Sequence, residues 1–177
     1  MDLQLSNKTA IVTGGSRGIG KAIARELAIE GVDLAIAARN PERLDAAAKE
    51  LSDISGRKII PIVVDTGDDD KVQYMVKKAA DELGGIDILI NCAAQPGSAL
   101  PPPSLSGFTN EHFWPDMNTK VLGYLRCARE AAPYMIEKNW GRIINISGLA
   151  ARQANSIIGS MRNVAIVAMT KNLADEL

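Results

Sequence analysis

Aromatic residues make up only 4% of this 177-residue chain, histidine occurs once and cysteine twice. Each scarcity excludes something. Cys92 and Cys127 fall in apolar surroundings at unrelated positions, so they form no disulfide framework and read as the reduced thiols of a cytoplasmic protein. A lone His112 with no Cys/His cluster offers no metal-ligand set. No apolar run reaches the ~18 residues of a membrane span, and "MDLQLSNKTAIVTGG" is too polar for a secretory leader. The sequon "NKT" at 7–9 is therefore inert. The net charge of −1 gives no basic surface for nucleic acid or an anionic membrane. With 46% hydrophobic and 23% charged residues, residues 1–177 read as one globular domain with a sizeable core.

Short β-branched runs alternate with longer amphipathic stretches. "TAIVT" (9–13), "DLAIAA" (33–38), "IIPIVVD" (59–65), "IDILIN" (86–91) and "RIINIS" (142–147) are almost continuously apolar, as parallel strands covered on both faces must be. The intervening helices carry their own punctuation. Residues 40–56 open on Asn40-Pro41 and close near Gly56, and residues 68–85 start acidic and stop at Gly84-Gly85. Two longer helices are expected over 111–138 and 156–177. This alternation predicts right-handed βαβ units in a doubly wound parallel α/β sheet. The irregular stretch 92–110, rich in Pro, Gly and Ser, follows the fourth strand on the edge where ligands bind such sheets.

"TGGSRGIG" (13–20) sits between the first strand and the first helix. Backbone N–H groups at a helix start bind phosphate, and glycines let a pyrophosphate come close. A tight turn that binds nothing is the alternative. "GSRGIGK" (15–21) has the spacing of a P-loop, but that motif continues with Ser or Thr to ligate magnesium and Ala22 stands there instead.

The T-G-x-x-x-G-x-G spacing resembles that of the short-chain dehydrogenase/reductase family. So do Asp65 at the end of the third strand, "NCAA" (91–94) in place of an N-N-A-G turn, and "GRIINIS" (141–147). The resemblance spans the whole chain. It implies a Rossmann-like, three-layer αβα fold, incomplete at its C-terminus, that binds a nicotinamide dinucleotide. Carried over by position, Gly14, Ser16, Gly18, Ile19 and Gly20 would follow the pyrophosphate. Asp65, with Thr66 beside it, would meet the adenine amino group, and Asn91 and Ala93 would line the path to the nicotinamide. Asp65 has a second reading as a helix-capping carboxylate. NAD-specific relatives place an acid at the end of the second strand, where this chain has Ala38 followed by Arg39, with Arg17 in the glycine turn. Two guanidiniums suit a 2′-phosphate, so NADP is the expected cofactor and NAD the second choice, unless both arginines are solvated surface charges.

The same resemblance exposes an anomaly. In the family, a tyrosine is the acid–base group, and a lysine four residues later lowers its pKa and holds the ribose. A serine on the fifth strand orients the substrate oxygen, and an asparagine in the preceding helix holds a water relay. Here Lys120 takes the asparagine position and Gly148 the serine position. Gly159 stands at the tyrosine and Asn163 at the lysine. Ser147, one residue early in a strand, turns to the other face. Segment 148–158 is shorter than in the family, but a slip of one puts Ile158 at the tyrosine, which is no acid either. Lysine and asparagine look exchanged between two facing helices, so Lys120, Ser147 and Asn163 are the catalytic candidates. The proton donor is open among Ser147, Ser156, Ser160, Tyr124 and a water near Lys120.

Three readings follow: an NADP-dependent oxidoreductase acting on a small alcohol/carbonyl pair through a rearranged site, a non-catalytic NADP(H)-binding sensor or partner subunit, and an α/β module with no cofactor. For the family the chain stops mid-helix, as a fragment or truncated product would. Residues 156–177 are apolar around much of their circumference, which implies burial on two sides. A homodimer or homotetramer is expected, with a segment that covers the second face as the alternative.

Overall fold

The computed structural model describes residues 3–95, 102–154 and 156–177. Its elements are β1 (Thr9–Thr13), α1 (Gly18–Ile29), β2 (Asp33–Ala38), α2 (Pro41–Ser55), β3 (Ile59–Val63), α3 (Asp69–Leu83), β4 (Ile88–Asn91), α4 (Asn110–Asp116), α5 (Gly123–Glu137), β5 (Arg142–Asn145) and α6 (Ile157–Glu176). The helix signals act as the sequence implies. Asn40 Oδ1 accepts the Arg43 N–H at 2.8 Å, Pro41 opens α2, and Gly56 ends it with φ +66°. Asp68 caps α3 by accepting the Lys71 N–H at 3.2 Å.

All strand pairings are parallel, in the order β3-β2-β1-β4-β5. Side-chain alternation divides the core between the two faces. Ala10, Val12, Leu34 and Ile36 pack with Leu44, Ala47 and Leu51 of α2 and Ala24 and Ala28 of α1. Ile11, Ala35, Ala37 and Leu89 pack with Val72, Met75 and Ala79 of α3 and Cys127, Ala128 and Ala131 of α5. Burial of each fully enclosed Leu or Ile is worth about 1.5–3 kcal/mol. The chain runs β1, β2, β3 in one direction and then returns to place β4 on the other side of β1. That reversal opens a crevice beyond the carboxyl ends of β1 and β4.

Several sequence expectations need correction. The strands stop at Val63 and Asn145 rather than 65 and 147, and β4 begins at Ile88 rather than 86. Single bonds from Val64 to Ala38 and from Ile146 to Asn91 carry the ladder one residue further before the chain turns into the crevice. Coverage on both faces holds for β1, β2 and β4 but not for the edge strands β3 and β5, whose Val63 and Ile144 are half exposed. The helix expected over 111–138 is interrupted by a π-helical turn at Met117–Leu122 between α4 and α5. Of the 92–110 connection, residues 96–101 lie outside the described residues; beyond them Leu105–Gly107 forms one 3₁₀ turn. No helix among the described residues is long and apolar enough to cross a membrane.

One buried carboxylate ties the amino ends of β1 and β4. Asp87 Oδ2 accepts from the Thr9 N–H at 2.9 Å and the Thr9 hydroxyl at 3.0 Å, and Oδ1 pairs with Lys138 at 2.9 Å. Burial works to raise its pKa, but the Lys138 and Thr9 hydrogen bonds outweigh it and hold the carboxyl below the ordinary value. A depressed native pKa stabilises the fold above the ordinary carboxylate range, and that stability is lost as pH falls through it. Asp87→Asn is expected to cost about 1.5–3 kcal/mol, the worth of hydrogen bonds to a charged group. Urea unfolding at pH 7 reads this as a lower midpoint at constant slope, with the deficit shrinking as the pH is lowered towards 3.

Candidate active site

The crevice begins with Thr13. Its Oγ1 accepts the N–H groups of Cys92 (3.0 Å) and Ala93 (3.2 Å) and donates to the Ile90 carbonyl at 3.4 Å, joining the exits of β1 and β4. Gly14 follows at φ +70°, where a Cβ would stand 3.1 Å from the Ala93 and Cys92 backbone. At Gly20 the constraint is harsher, since a Cβ would lie 2.3 Å from the Gly14 carbonyl oxygen. These glycines let the start of α1 dock on the exit of β1.

That helix start is left open. Arg17, its N-cap, makes no side-chain capping bond, and the first turn holds no acid. By contrast α2 and α3 are capped by Asn40 and Asp68 and carry Glu42, Asp69 and Asp70 in their first turns. Unsatisfied N–H groups and a positive helix end at the crevice match a pyrophosphate.

A cleft of about 410 Å³ runs from this turn across the carboxyl ends of the strands. Gly14, Ser16, Arg17, Gly18, Ile19, Gly20, Arg39, Asp65, Thr66 and Ala93 all line it. Ile19 is 63% exposed, an apolar floor at a helix start. Asn91 does not line the cleft. It is fully buried, and its Nδ2 donates to Asn145 Oδ1 (2.9 Å) and the Tyr124 carbonyl (3.3 Å). Nor does Asp65 cap a helix: Asp68 does so, while Asp65 Oδ1 accepts the Gly67 N–H at 2.9 Å. Arg43 lines the cleft as well, a residue the sequence reading missed. Its signal was its place in the first turn of α2, whose side chains lean back towards the helix start. Among the described residues none of Arg17, Arg39 and Arg43 pairs with a carboxylate. Arg39 reaches Gln95 Oε1 at 3.4 Å, and Gln95 Nε2 reaches Thr119 Oγ1 at 3.1 Å, so one amide spans the cleft.

Next to the cleft the π-helical turn carries Lys120 inward against α6. Lys120 Nζ donates to Asn163 Oδ1 at 2.8 Å, and both residues are buried. Burial, then the field of Arg162, pushes the lysine pKa down from 10.5 to about 8, while Cys92 and Asp116 act the other way. Arg162 itself pairs with Asp116. Asn118 faces elsewhere, bonded to the Gly67 carbonyl (3.0 Å) and to Arg126 Nη1 (2.8 Å). The hydroxyl candidates are engaged. Ser147 donates to the Asn163 carbonyl (3.1 Å), Ser156 caps α6 through the Gly159 N–H (3.2 Å), and Ser160 donates to the Gln153 carbonyl (3.4 Å). Tyr124 is 1% exposed, donates to the Ile146 carbonyl at 3.3 Å, and is held far above the ordinary phenol range by burial.

The model of the short chain dehydrogenase family matches residues 8–177. The chain belongs to that family. An uncharacterized oxidoreductase of Staphylococcus aureus (strain USA300) is 33% identical over 175 residues, covering 98% of this chain and 73% of its own. L-sorbose reductase from Gluconobacter frateurii, solved with NADPH and L-sorbose, superposes with a TM-score of 0.90 at 31% identity over 99% of this chain. An NAD⁺-bound xylitol dehydrogenase gives 0.90 at 27% over 98%. The chain spans 66% of each of those two chains. As a short-chain dehydrogenase it is of the nicotinamide-dependent oxidoreductase class, and its glycine turn and open helix start fit such a cofactor.

Gly20→Val tests that fit. With Gly14 O 2.3 Å from the added Cβ, the helix start has to shift, costing about 1–3 kcal/mol of stability as overpacking does. NADPH binding, read by fluorescence titration, is expected to weaken by far more than the same substitution at Gly56, where a Cβ meets nothing within 4 Å.

Proposed function

We propose that the protein is an NADP-dependent oxidoreductase acting on the alcohol/carbonyl pair of a small molecule, with Lys120, Ser147 and Asn163 forming its rearranged catalytic corner. One observation carries the cofactor choice: the adenosine end of the cleft gathers Arg17, Arg39 and Arg43 with no carboxylate partner among the described residues, and Ala38 stands where an acid would bind a ribose 2′-hydroxyl. NAD is the second choice. Gly14, Ser16, Gly18, Ile19 and Gly20 hold the pyrophosphate, Asp65 and Thr66 the adenine end, and Ala93 the path towards the nicotinamide. When bound, the nicotinamide supplies or accepts a hydride, leaving the protein to orient the substrate and move a proton. The relatives solved with L-sorbose and named for xylitol make ketoses and polyols the first compounds to test. The reduced state expected of Cys92 and Cys127 suits a cytoplasmic protein, read as one domain.

Glycines at 148 and 159, where relatives place their serine and tyrosine, favour a second reading as a non-catalytic NADP(H)-binding subunit. Tight NADPH binding without turnover of any ketose or polyol, unchanged in Lys120→Ala, would select it.

Arg39→Asp replaces attraction with repulsion at the 2′-phosphate. The ratio of the NAD to NADP dissociation constants is expected to fall at least tenfold, about 1.4 kcal/mol, while NAD binding changes little. An unmoved ratio would remove Arg39 from the site.

A homodimer is the assembly we infer. α6 buries Ile158 and Ile166 yet leaves Ile157, Met161, Val164 and Val167 exposed, and α5 exposes Leu125 and Ile136. Apolar residues around much of α6 make sense when it packs on two sides. Light scattering after size exclusion at tens of micromolar is expected to give twice the chain mass; a stable monomer contradicts it.

A further inference from the structure

We propose that Lys120 is the proton donor of this site, held in place by Asn163 in a seat that Gly148 leaves open. This rests on the oxidoreductase reading. Three substitutions that look like separate losses prove to depend on one another. The Asn163 amide has a defined orientation: Nδ2 donates to the Gly159 carbonyl at 2.7 Å, which turns Oδ1 towards the Lys120 ammonium at 2.8 Å. A Cβ on Gly148 would stand 3.1 Å from that same Oδ1, tight enough that the amide would have to give by a few tenths of an ångström. Ser147 steadies the arrangement from the other side through the Asn163 carbonyl. Lysine at 120, glycine at 148 and asparagine at 163 therefore meet at one point.

The energetics point the same way. Lys120 is 5% exposed, and its one hydrogen-bond acceptor among the described residues is neutral. A buried ammonium without a carboxylate partner is costly, and such costs concentrate where chemistry needs them. The groups facing it are the Cys92 thiol beyond β4, Asp116 from α4, the Tyr124 ring 5.9 Å away on α5, and Arg162 from α6, already paired with Asp116. Burial and Arg162 bring the ammonium to about 8, close enough to neutrality to give up a proton and regain it. An ammonium has three N–H donors and Asn163 takes one, leaving others for a substrate oxygen. As the carbonyl carbon accepts hydride, one Nζ–H bond breaks and an O–H bond forms on the developing alkoxide. The neutral amine then recovers a proton from solvent, and the reverse steps serve alcohol oxidation.

Two readouts test this. Heteronuclear NMR of the lysine Cε/Nζ groups, with the Lys120 signal assigned by its disappearance in Lys120→Met, is expected to show a midpoint near 8 for that residue. In the reductive direction the acid form works, so kcat/KM falls as pH rises through that midpoint. Asn163→Asp keeps the shape but sets a carboxylate against the ammonium. It is expected to move both the NMR midpoint and the kinetic limb upwards by about one unit or more. Lys120→Met is expected to lower kcat at least about 100-fold while NADPH affinity stays within about threefold. Turnover that survives in Lys120→Met, or a kinetic limb that ignores Asn163→Asp, overturns the lysine alone. A wild-type protein that binds NADPH but reduces neither L-sorbose nor any of a panel of ketoses overturns the oxidoreductase reading and this proposal with it. Should Lys120→Met fail to fold, the Asn163→Asp shift still decides.

Discussion

The carbonyl of Gly14 and the Cα of Gly20 touch, and the rest of the site depends on that contact. A single methyl at position 20 would lie 2.3 Å from the oxygen. Because both residues lack one, the first turn of α1 comes down on the end of β1, and its free N–H groups are aimed across the crevice. Thr13 then binds the β4 exit to the same point through two N–H groups. A ligand pocket here is thus a consequence of backbone packing, and the side chains that line it add selectivity to a shape already made. The missing cap on α1, beside well-capped α2 and α3, is the local cost of keeping that helix end free.

The proposed catalytic corner follows a different logic. It is assembled from α6, the π-helical turn before α5 and Ser147 just past β5, segments distant in sequence, and its members hold one another. Widening the helix at Met117–Leu122 is what lets Thr119 face the cleft while Lys120 turns to α6. Gly159 allows the Leu149–Ala151 turn to approach α6, where a Cβ would meet Ala150 at 3.6 Å and Ser156 at 3.1 Å.

Much of the cleft lining was legible in the sequence. Ten residues named from the glycine turn and strand ends line it, since strand-to-helix turns are local and their glycines, caps and terminal polar residues act over a few positions. Asn91 is buried beneath the cleft with its amide turned to Asn145 and Tyr124, because alternation along β4 decides which way a side chain points. Arg43 was overlooked because its approach depends on how α2 leans over the crevice. The π-helical turn left no trace in a hydrophobic period that continues across it. Exposure of β5 was equally hidden, because an apolar run looks alike in a central strand and an edge strand.

By itself the sequence determined the βαβ order, the parallel sheet, the glycine turn between β1 and α1 and the arginines beside it, all of them products of short-range spacing and composition. It also named Lys120 and Asn163 as exchanged. Only the tertiary structure decided what the exchange means. Whether a buried ammonium meets an amide oxygen, whether Gly148 leaves room for that amide, and whether Ser147, Ser156, Ser160 and Tyr124 are already bonded elsewhere are questions about distances between segments up to 43 residues apart. Those distances are set by how two helices pack, and no local pattern in the chain records them.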